Sequence, residues 1–411
     1  MSNSLDSNKI RCALVAYTIN SKSGSEPKIA WNLLQCALAN NFVVTIFVPD
    51  SIDRDAENEL RLLPIEIIKV PLQHRKFYRK LPAGNRIEYI NWNNKVSSIL
   101  RSRANEFDLG HQLSYGNLFL GSAFRNSGIP FIFGPGGGLN RPILKAMINS
   151  GFLLVVWEIF RLFLNAWISK FKFSKESLRN ASLVLASNFD TLTKVQRLGA
   201  TNVELMIQEA IEDTVIISRT SKPKTSIIVW AGRFLPGKLP ELAIEAFAKA
   251  LKELPNKTSL VMAGDGPLLE KCRRLSTELG IQDQVIFLGR ISWTELQNLM
   301  RCATAFLFTS GRDTFGSQVL EACAAGLPII GIEGQNYQSW FTESRTFASS
   351  KSKKSINDSL RNSIVQVLSW DSKSWLEVSQ LSHQFALKHS ISRKSREIHS
   401  HYTSVAGREN G

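Results

Sequence analysis

Two stretches decide the fold: Ser226–Leu239, SIIVWAGRFLPGKL, and Ala305–Glu321, AFLFTSGRDTFGSQVLE. Each opens on a short apolar run and breaks at glycine and charge. Each then enters a segment whose apolar residues recur at helical spacing. Runs this short and this apolar fit strands buried on both faces of a parallel sheet. The same alternation fills the second half. Ser226–Ala231, Ser259–Ala263, Gln284–Leu288, Ala305–Phe308 and Pro328–Ile332 read as strands. Pro240–Glu253, Pro267–Leu279, Trp293–Ala303 and Ser317–Ala325 read as the helices between them, the first with Ala243, Ala246, Phe247 and Ala250 on one stripe. Strict alternation of strand and helix predicts a doubly wound parallel sheet.

The first half repeats the pattern more loosely. Strands are expected at Ile10–Tyr17, Val43–Val48, Ile67–Val70, Pro130–Phe133, Leu183–Ala186 and Val203–Ile207. Helices are expected at Pro27–Asn40, Ile87–Arg103, Leu118–Arg125 and Phe189–Leu198. The polar stretch Glu209–Lys224 marks a boundary. The expected organisation is an N-terminal α/β domain over 1–208, a second over 209–384, and a helical tail over 385–411 that packs back on the first. Ligands of open α/β sheets bind beyond the carboxyl ends of strands, so residues just after strands carry the weight.

Composition narrows the classes. The chain has 411 residues with 50 Lys+Arg and 35 Asp+Glu, a net charge of +15. Such a balance points to an anionic partner: nucleic acid, a phosphorylated substrate or an acidic lipid surface. Five scattered cysteines argue against a zinc module or a disulfide framework. The opening residues carry no apolar signal core, and no stretch reaches the roughly 20 apolar residues of a spanning helix. Cytoplasmic residence is therefore expected.

After the first strand of the second half come Gly232, Arg233, Pro236, Gly237 and Lys238. An Arg can grip a diphosphate with two parallel hydrogen bonds, and a Lys acts as a point charge. The alternative is a solvated loop. After Ala305–Phe308 come Asp313, Phe315, Gly316, Ser317 and Glu321. A carboxylate in the loop and another in the second helical turn can hold two ends of a polar ligand. The free N–H groups at the helix start favour a phosphate. The alternative is that Asp313 caps the helix and Glu321 is solvated. Gly264-Asp265-Gly266-Pro267 lacks the third glycine of a dinucleotide fingerprint and reads as a turn. In the first half, Gly24-Ser25-Glu26-Pro27 precedes a helix, His111 lies in a strand–helix context, and Gly134–Gly138 holds four glycines after a strand. Asp53 and Asp55 form a D-x-D pair in a polar run, read as a solvated loop or helix start and not as a metal site.

Together these motifs resemble the family 4 (group 1) glycosyltransferases of the GT-B fold. The resemblance is strongest over Val229–Gly334, which also holds Phe287-Leu288-Gly289 and Gly326-Leu327-Pro328. It implies two Rossmann-like domains and a nucleotide-sugar donor (UDP-, GDP- or ADP-linked) held by the second. By that resemblance Arg233 and Lys238 hold the diphosphate, Asp313 the sugar hydroxyls and Glu321 the ribose. Phe315, Gly316 and Ser317 approach through backbone, with Gly264 and Arg290 lining the donor. His111 sits near the anomeric carbon and Gly24 near the phosphate. It further implies a retaining transfer without metal or cofactor, by front-face attack, to a saccharide or lipid-linked saccharide acceptor. Three positions depart from the family pattern. Asp313 is one methylene shorter than the usual glutamate, Leu239 stands where glycine is usual, and Leu113 replaces a frequent second histidine.

Two basic–aromatic regions add an anionic membrane surface as an expected partner: His74–Lys80 and Phe152–Phe173, the latter with Trp157, Phe160, Phe163, Trp167 and Phe171. The alternative there is that the aromatics are core. Among other classes, a nucleic-acid-binding protein with tandem α/β domains has charge as its only support. An oxidoreductase lacks its fingerprint, and an epimerase or phosphorylase lacks its acid/base pair or cofactor lysine.

Overall fold

In the computed structural model, the residues described are 9–21, 25–72, 84–138, 140, 142–147, 152–254, 257–334, 336–341, 346–348 and 353–407. The chain forms two compact units. One comprises Met1–Leu139, Phe163–Ala210 and Ile391–Gly411; the other Asn140–Leu162 and Ile211–Ser390. The division is thus not a single cut near 209. Residues 140–162 join the second unit, and the tail that returns to the first begins at Ile391, leaving Phe385 in the second.

The first unit is built on a seven-stranded parallel sheet in the order β3-β2-β1-β4-β5-β6-β7. Its strands are β1 Arg11–Ala16, β2 Val43–Pro49, β3 Ile65–Val70, β4 Leu109–Ser114, β5 Phe131–Gly136, β6 Leu183–Ala186 and β7 Val203–Leu205. β1 shows why the run is apolar throughout. Cys12, Leu14 and Ala16 enter one core cluster, while Ala13 and Val15 enter another on the opposite face. A strand buried on both faces leaves no polar position in its middle. The helices are α1 Ser25–Ala39, α2 Arg54–Arg61, α3 Gly84–Ser102, α4 Leu144–Met147, α5 Phe152–Ile168, α6 Lys172–Asn180 and α7 Phe189–Arg197. Of these, α4 lies in the second unit, and α5 passes from the second unit's residues into the first's.

The second unit holds a six-stranded parallel sheet, β10-β9-β8-β11-β12-β13. Its strands are β8 Ile227–Ala231, β9 Ser259–Ala263, β10 Val285–Gly289, β11 Ala305–Phe308, β12 Ile329–Ile332 and β13 Thr346–Ala348. Helices α8 Pro240–Ala250, α9 Leu269–Glu278, α10 Trp293–Cys302 and α11 Ser317–Ala324 connect them, followed by α12 Lys353–Ser369 and α13 Ser372–Lys388. The last helix, α14 Ile391–Val405, belongs to the first unit. It buries Tyr402 against Phe42, ring centroids 5.2 Å apart, and accepts a hydrogen bond at the Ser395 carbonyl from Asn40.

One expected helix is corrected. Leu118–Arg125 forms only a short 3-10 turn over Leu118–Leu120. Gly121 has φ +79, and its carbonyl accepts from the Tyr89 hydroxyl at 3.2 Å and the Asn93 amide at 3.0 Å. Those bonds from α3 replace the helical ladder.

Candidate active site

In the second unit the winding reverses at β8. Strands β9 and β10 lie on one side of it and β11 on the other. A crevice opens beyond the carboxyl ends at such a reversal. The loops leaving β8 and β11 are stitched together there. The Gly311 N–H donates to the Gly237 carbonyl at 2.9 Å. Thr309, just past β11, accepts from the Trp230 indole at 3.0 Å and directs its hydroxyl at the carbonyls of Lys238 and Leu239, 2.9 and 3.0 Å away. The two charged residues of these loops then meet: Lys238 Nζ lies 2.5 Å from Asp313 Oδ2. Both side chains are partly buried, at 21% and 23% exposure. An ammonium carries three donors, so this bond leaves two for another ligand. Asn336 fixes the Asp313 backbone by donating to its carbonyl at 2.9 Å.

Leu239 explains its own departure. Its φ of 51° and ψ of 50° are left-handed, which accounts for glycine as the usual residue. A branched residue there costs about 1–2 kcal/mol. The leucine is only 1% exposed and joins the core cluster that includes Met147 and Trp230. Burying such a side chain contributes about 1.5–3 kcal/mol, which offsets the strain. Pro240 then starts α8 at the position where its missing N–H costs nothing.

Gly316 opens α11 with φ +104, and a Cβ there would come within 2.8 Å of the Phe308 ring. Asp313 lies in the loop three residues before this helix-opening glycine. Ser317 is its first residue. Phe315 is fully buried and stacks on Phe385, so only its backbone is available to a ligand. Glu321 accepts from the Trp293 indole at 3.1 Å. Gly264 has a backbone reason: a Cβ would stand 1.8 Å from the Gly232 carbonyl oxygen. With the Gly232 and Phe234 N–H groups donating to Ala263 and Asp265, and the Gly264 N–H to Gly289, the ends of β8, β9 and β10 are locked in register. Arg233 and Arg290 project from those ends. Both are exposed, and neither guanidinium has a hydrogen-bond partner among the described residues.

His111 is placed otherwise than expected. It lies inside β4, wholly buried. Its Nε2 donates to the Gly134 carbonyl at 2.6 Å, so Nδ1 accepts from the Tyr402 hydroxyl at 2.7 Å. Burial lowers its pKa to about 4. Both ring nitrogens are engaged in joining β4, β5 and α14, which corrects the expectation of a ring facing substrate. Gly24 and His74–Lys80 lie outside the described residues.

The first unit holds a separate feature that the sequence reading passed over. Glu26, half-buried on α1, accepts from the Gly116 N–H at 2.5 Å, and burial raises its carboxyl pKa. Near the carboxyl ends of β1 and β2 a cavity of about 240 Å³ is lined by Tyr17, Asn20, Pro27, Ser51 and Asp53 among others. No local pattern pairs Glu26 with Gly116, because the two are 90 residues apart.

Residues 213–364 match the family model described as Glycosyl transferases group 1. The chain is similar to the alpha-monoglucosyldiacylglycerol synthase of Streptococcus pneumoniae, 40% identical over 22% of this chain and 20% of the relative. It is similar to the lipopolysaccharide 1,6-galactosyltransferase of Salmonella typhimurium, 27% identical over 37% of this chain and 42% of that one. The matches therefore span less than half the length of these curated relatives. Among solved structures, Anabaena HepE in complex with UDP and glucose aligns over 96% of this chain and 100% of its own, with TM-score 0.63 at 15% identity. WaaG, a glycosyltransferase involved in lipopolysaccharide biosynthesis, aligns with the same coverage and TM-score. The chain has the GT-B glycosyltransferase fold of two Rossmann-like units, and its group 1 match falls within the unit that brings Lys238 to Asp313.

Proposed function

We propose that this chain is a retaining, metal-independent family 4 glycosyltransferase. In this reading it moves a sugar from a nucleotide-sugar donor to a saccharide or lipid-linked saccharide in polysaccharide or glycolipid assembly. It works in the cytoplasm, as a peripheral protein on the inner face of the membrane. The observation that carries the reading is the Lys238–Asp313 pair at the point where the second sheet reverses. The names of the relatives, which include a GDP-Man:Man(3)GlcNAc(2)-PP-Dol alpha-1,2-mannosyltransferase from Homo sapiens, support the substrate class. The UDP and UDP-glucose complexes of HepE support the donor class.

The chemistry follows from where charge develops. Cleaving a glycosyl–phosphate bond leaves an oxocarbenium-like sugar and an anionic diphosphate. Lys238, oriented by Asp313, and Arg233, whose guanidinium has no partner among the described residues, neutralise that diphosphate in place. The N–H groups at the start of α11 add to the same field. Asp313 orients the sugar hydroxyls while holding Lys238, and Glu321, steadied by Trp293, takes the ribose. The acceptor hydroxyl attacks from the face the diphosphate leaves. Its proton passes to a leaving phosphate oxygen, so the anomeric configuration is kept.

Removing either cation should lower turnover by about 10²–10³, the cost of losing one charge-stabilising donor. Release of nucleoside diphosphate from UDP-, GDP- and ADP-sugars is the assay. Near-normal rates in both Arg233→Ala and Lys238→Ala would refute the reading.

A further inference from the structure

The loop that carries Asp313 is braced by a segment from far upstream. Residues 140–162 follow β5 of the first sheet in sequence yet belong to the second unit. The Ile143 N–H donates to the Gly311 carbonyl at 2.8 Å. Met147 packs so closely there that a Cβ on Gly311 would stand 2.8 Å from its methyl. The Asn140 amide donates to the Thr314 hydroxyl at 2.8 Å. Glu158, on α5, is only 3% exposed, and two arginines share its carboxylate. Arg161 Nε donates to Oε2 at 2.8 Å, and Arg312 Nε lies 3.2 Å from Oε1. Arg161 closes the circuit by donating from Nη2 to the Asn140 carbonyl at 3.1 Å. Residues 311, 312 and 314 are thus all tied to this segment. The Asp313 carboxylate is not: among the described residues it bonds only Lys238.

A buried carboxylate needs a charged, hydrogen-bonded partner. Arg161, three residues on along the same helix, already supplies one. Arg312 is a second cation, brought in from the donor loop. That loop has a reason to give it up. A guanidinium offers a planar fork that fits a carboxylate with two parallel bonds, whereas a lysine acts as a point charge. Arg312 immediately precedes Asp313, so a free guanidinium there competes with Lys238 for the same carboxylate. We propose that Glu158 is a positioning residue for the donor site: it sequesters Arg312, so that the Asp313 carboxylate stays with Lys238. The inference deepens the donor-site reading above and rests on it. It adds a residue 155 positions from Asp313 in the chain that decides which cation Asp313 holds.

The test follows nucleoside diphosphate release by the full chain from UDP-, GDP- and ADP-sugars, with the unfolding midpoint of each variant measured beside it. Glu158→Gln frees Arg312 and should lower kcat by about 10–10²-fold, the scale of a misplaced catalytic group, with donor KM changed by less than about threefold. Adding Arg312→Gln removes the competitor and should restore kcat to within about threefold of wild type. Arg312→Gln alone should stay within about threefold as well. A merely structural role for Glu158 gives no such repair. Should Glu158→Gln unfold, because two arginines then face no carboxylate, Glu158→Leu with Arg161→Met removes the buried charges in balance. It carries the same prediction, with the same repair by Arg312→Gln. A normal kcat in Glu158→Gln would overturn the inference, as would a loss that Arg312→Gln does not repair. So would an Arg312→Gln enzyme as slow as Glu158→Gln, since the arginine would then serve the loop itself. Lys238→Ala separates the two levels. An unaffected rate there removes the donor-site reading and this inference with it. A slowed Lys238→Ala beside an unrepaired Glu158→Gln removes the inference alone.

Discussion

His111 makes the first unit's stability depend on pH in a way that can be isolated. The ring is neutral in the folded chain because burial lowers its pKa to about 4, against about 6.5 when unfolded. The folded state thus binds fewer protons than the unfolded state between those values. Stability rises with pH through that window, is fully present above about 6.5, and is lost as pH falls toward 4. The whole effect is about 3 kcal/mol, of which about 2 kcal/mol is gone by pH 5. Glu26 works with the opposite sign, since burial raises its carboxyl, so the raw pH profile mixes the two. The difference between wild type and His111→Gln separates them. Glutamine can still donate toward Gly134 and accept from Tyr402, but it does not titrate. Hydrogen exchange of a peptide covering β4, corrected for intrinsic chemistry, is the local readout. From pH 7.5 to pH 5, wild-type protection should fall about 30-fold relative to the variant. Equal pH dependence in the two proteins would refute the argument that this ring is buried neutral.

Two substitutions test the loops of the second unit. Leu239→Gly removes left-handed strain of about 1 kcal/mol but also a buried leucine worth about 2–5 kcal/mol, so urea unfolding should show a net loss of about 1–4 kcal/mol. A stabilised variant would show that strain, not burial, dominates at that position. Asp313→Glu should keep nucleoside diphosphate release within about tenfold of wild type, since the longer acid still reaches Lys238. Asp313→Ala should lose about 10². Equal losses in the two would remove the carboxylate from the account.

The strands Leu183–Ala186, Ser259–Ala263 and Ala305–Phe308 read from sequence with the bounds they have in the fold. They are short, apolar on both faces and stopped by polar or glycine residues, so local chemistry alone delimits them. The Lys238–Asp313 pair was legible only as two separate candidates. The contact between them spans 75 residues and is set by the order of β8 and β11, which no local pattern encodes. His111 shows the opposite limit. Its strand–helix context in the sequence points to chemistry, but β4 runs from Leu109 to Ser114 and takes the ring into the core. The position of Leu239 also needed coordinates, because its left-handed backbone is masked by a side chain that usually avoids it. Helix α5 reads as amphipathic from either side. Which face turns outward is decided by Arg312, Gly138 and Arg86, far away in the chain.

The most direct measurement is a crystal structure of the full chain with the nucleoside diphosphate, among UDP, GDP and ADP, that raises its melting temperature most. The account predicts phosphate oxygens within hydrogen-bond reach of Lys238 Nζ, Arg233 beside them, and Asp313 still holding the lysine. A nucleotide seated away from the carboxyl ends of β8 and β11, with Lys238 and Arg233 untouched, would contradict it.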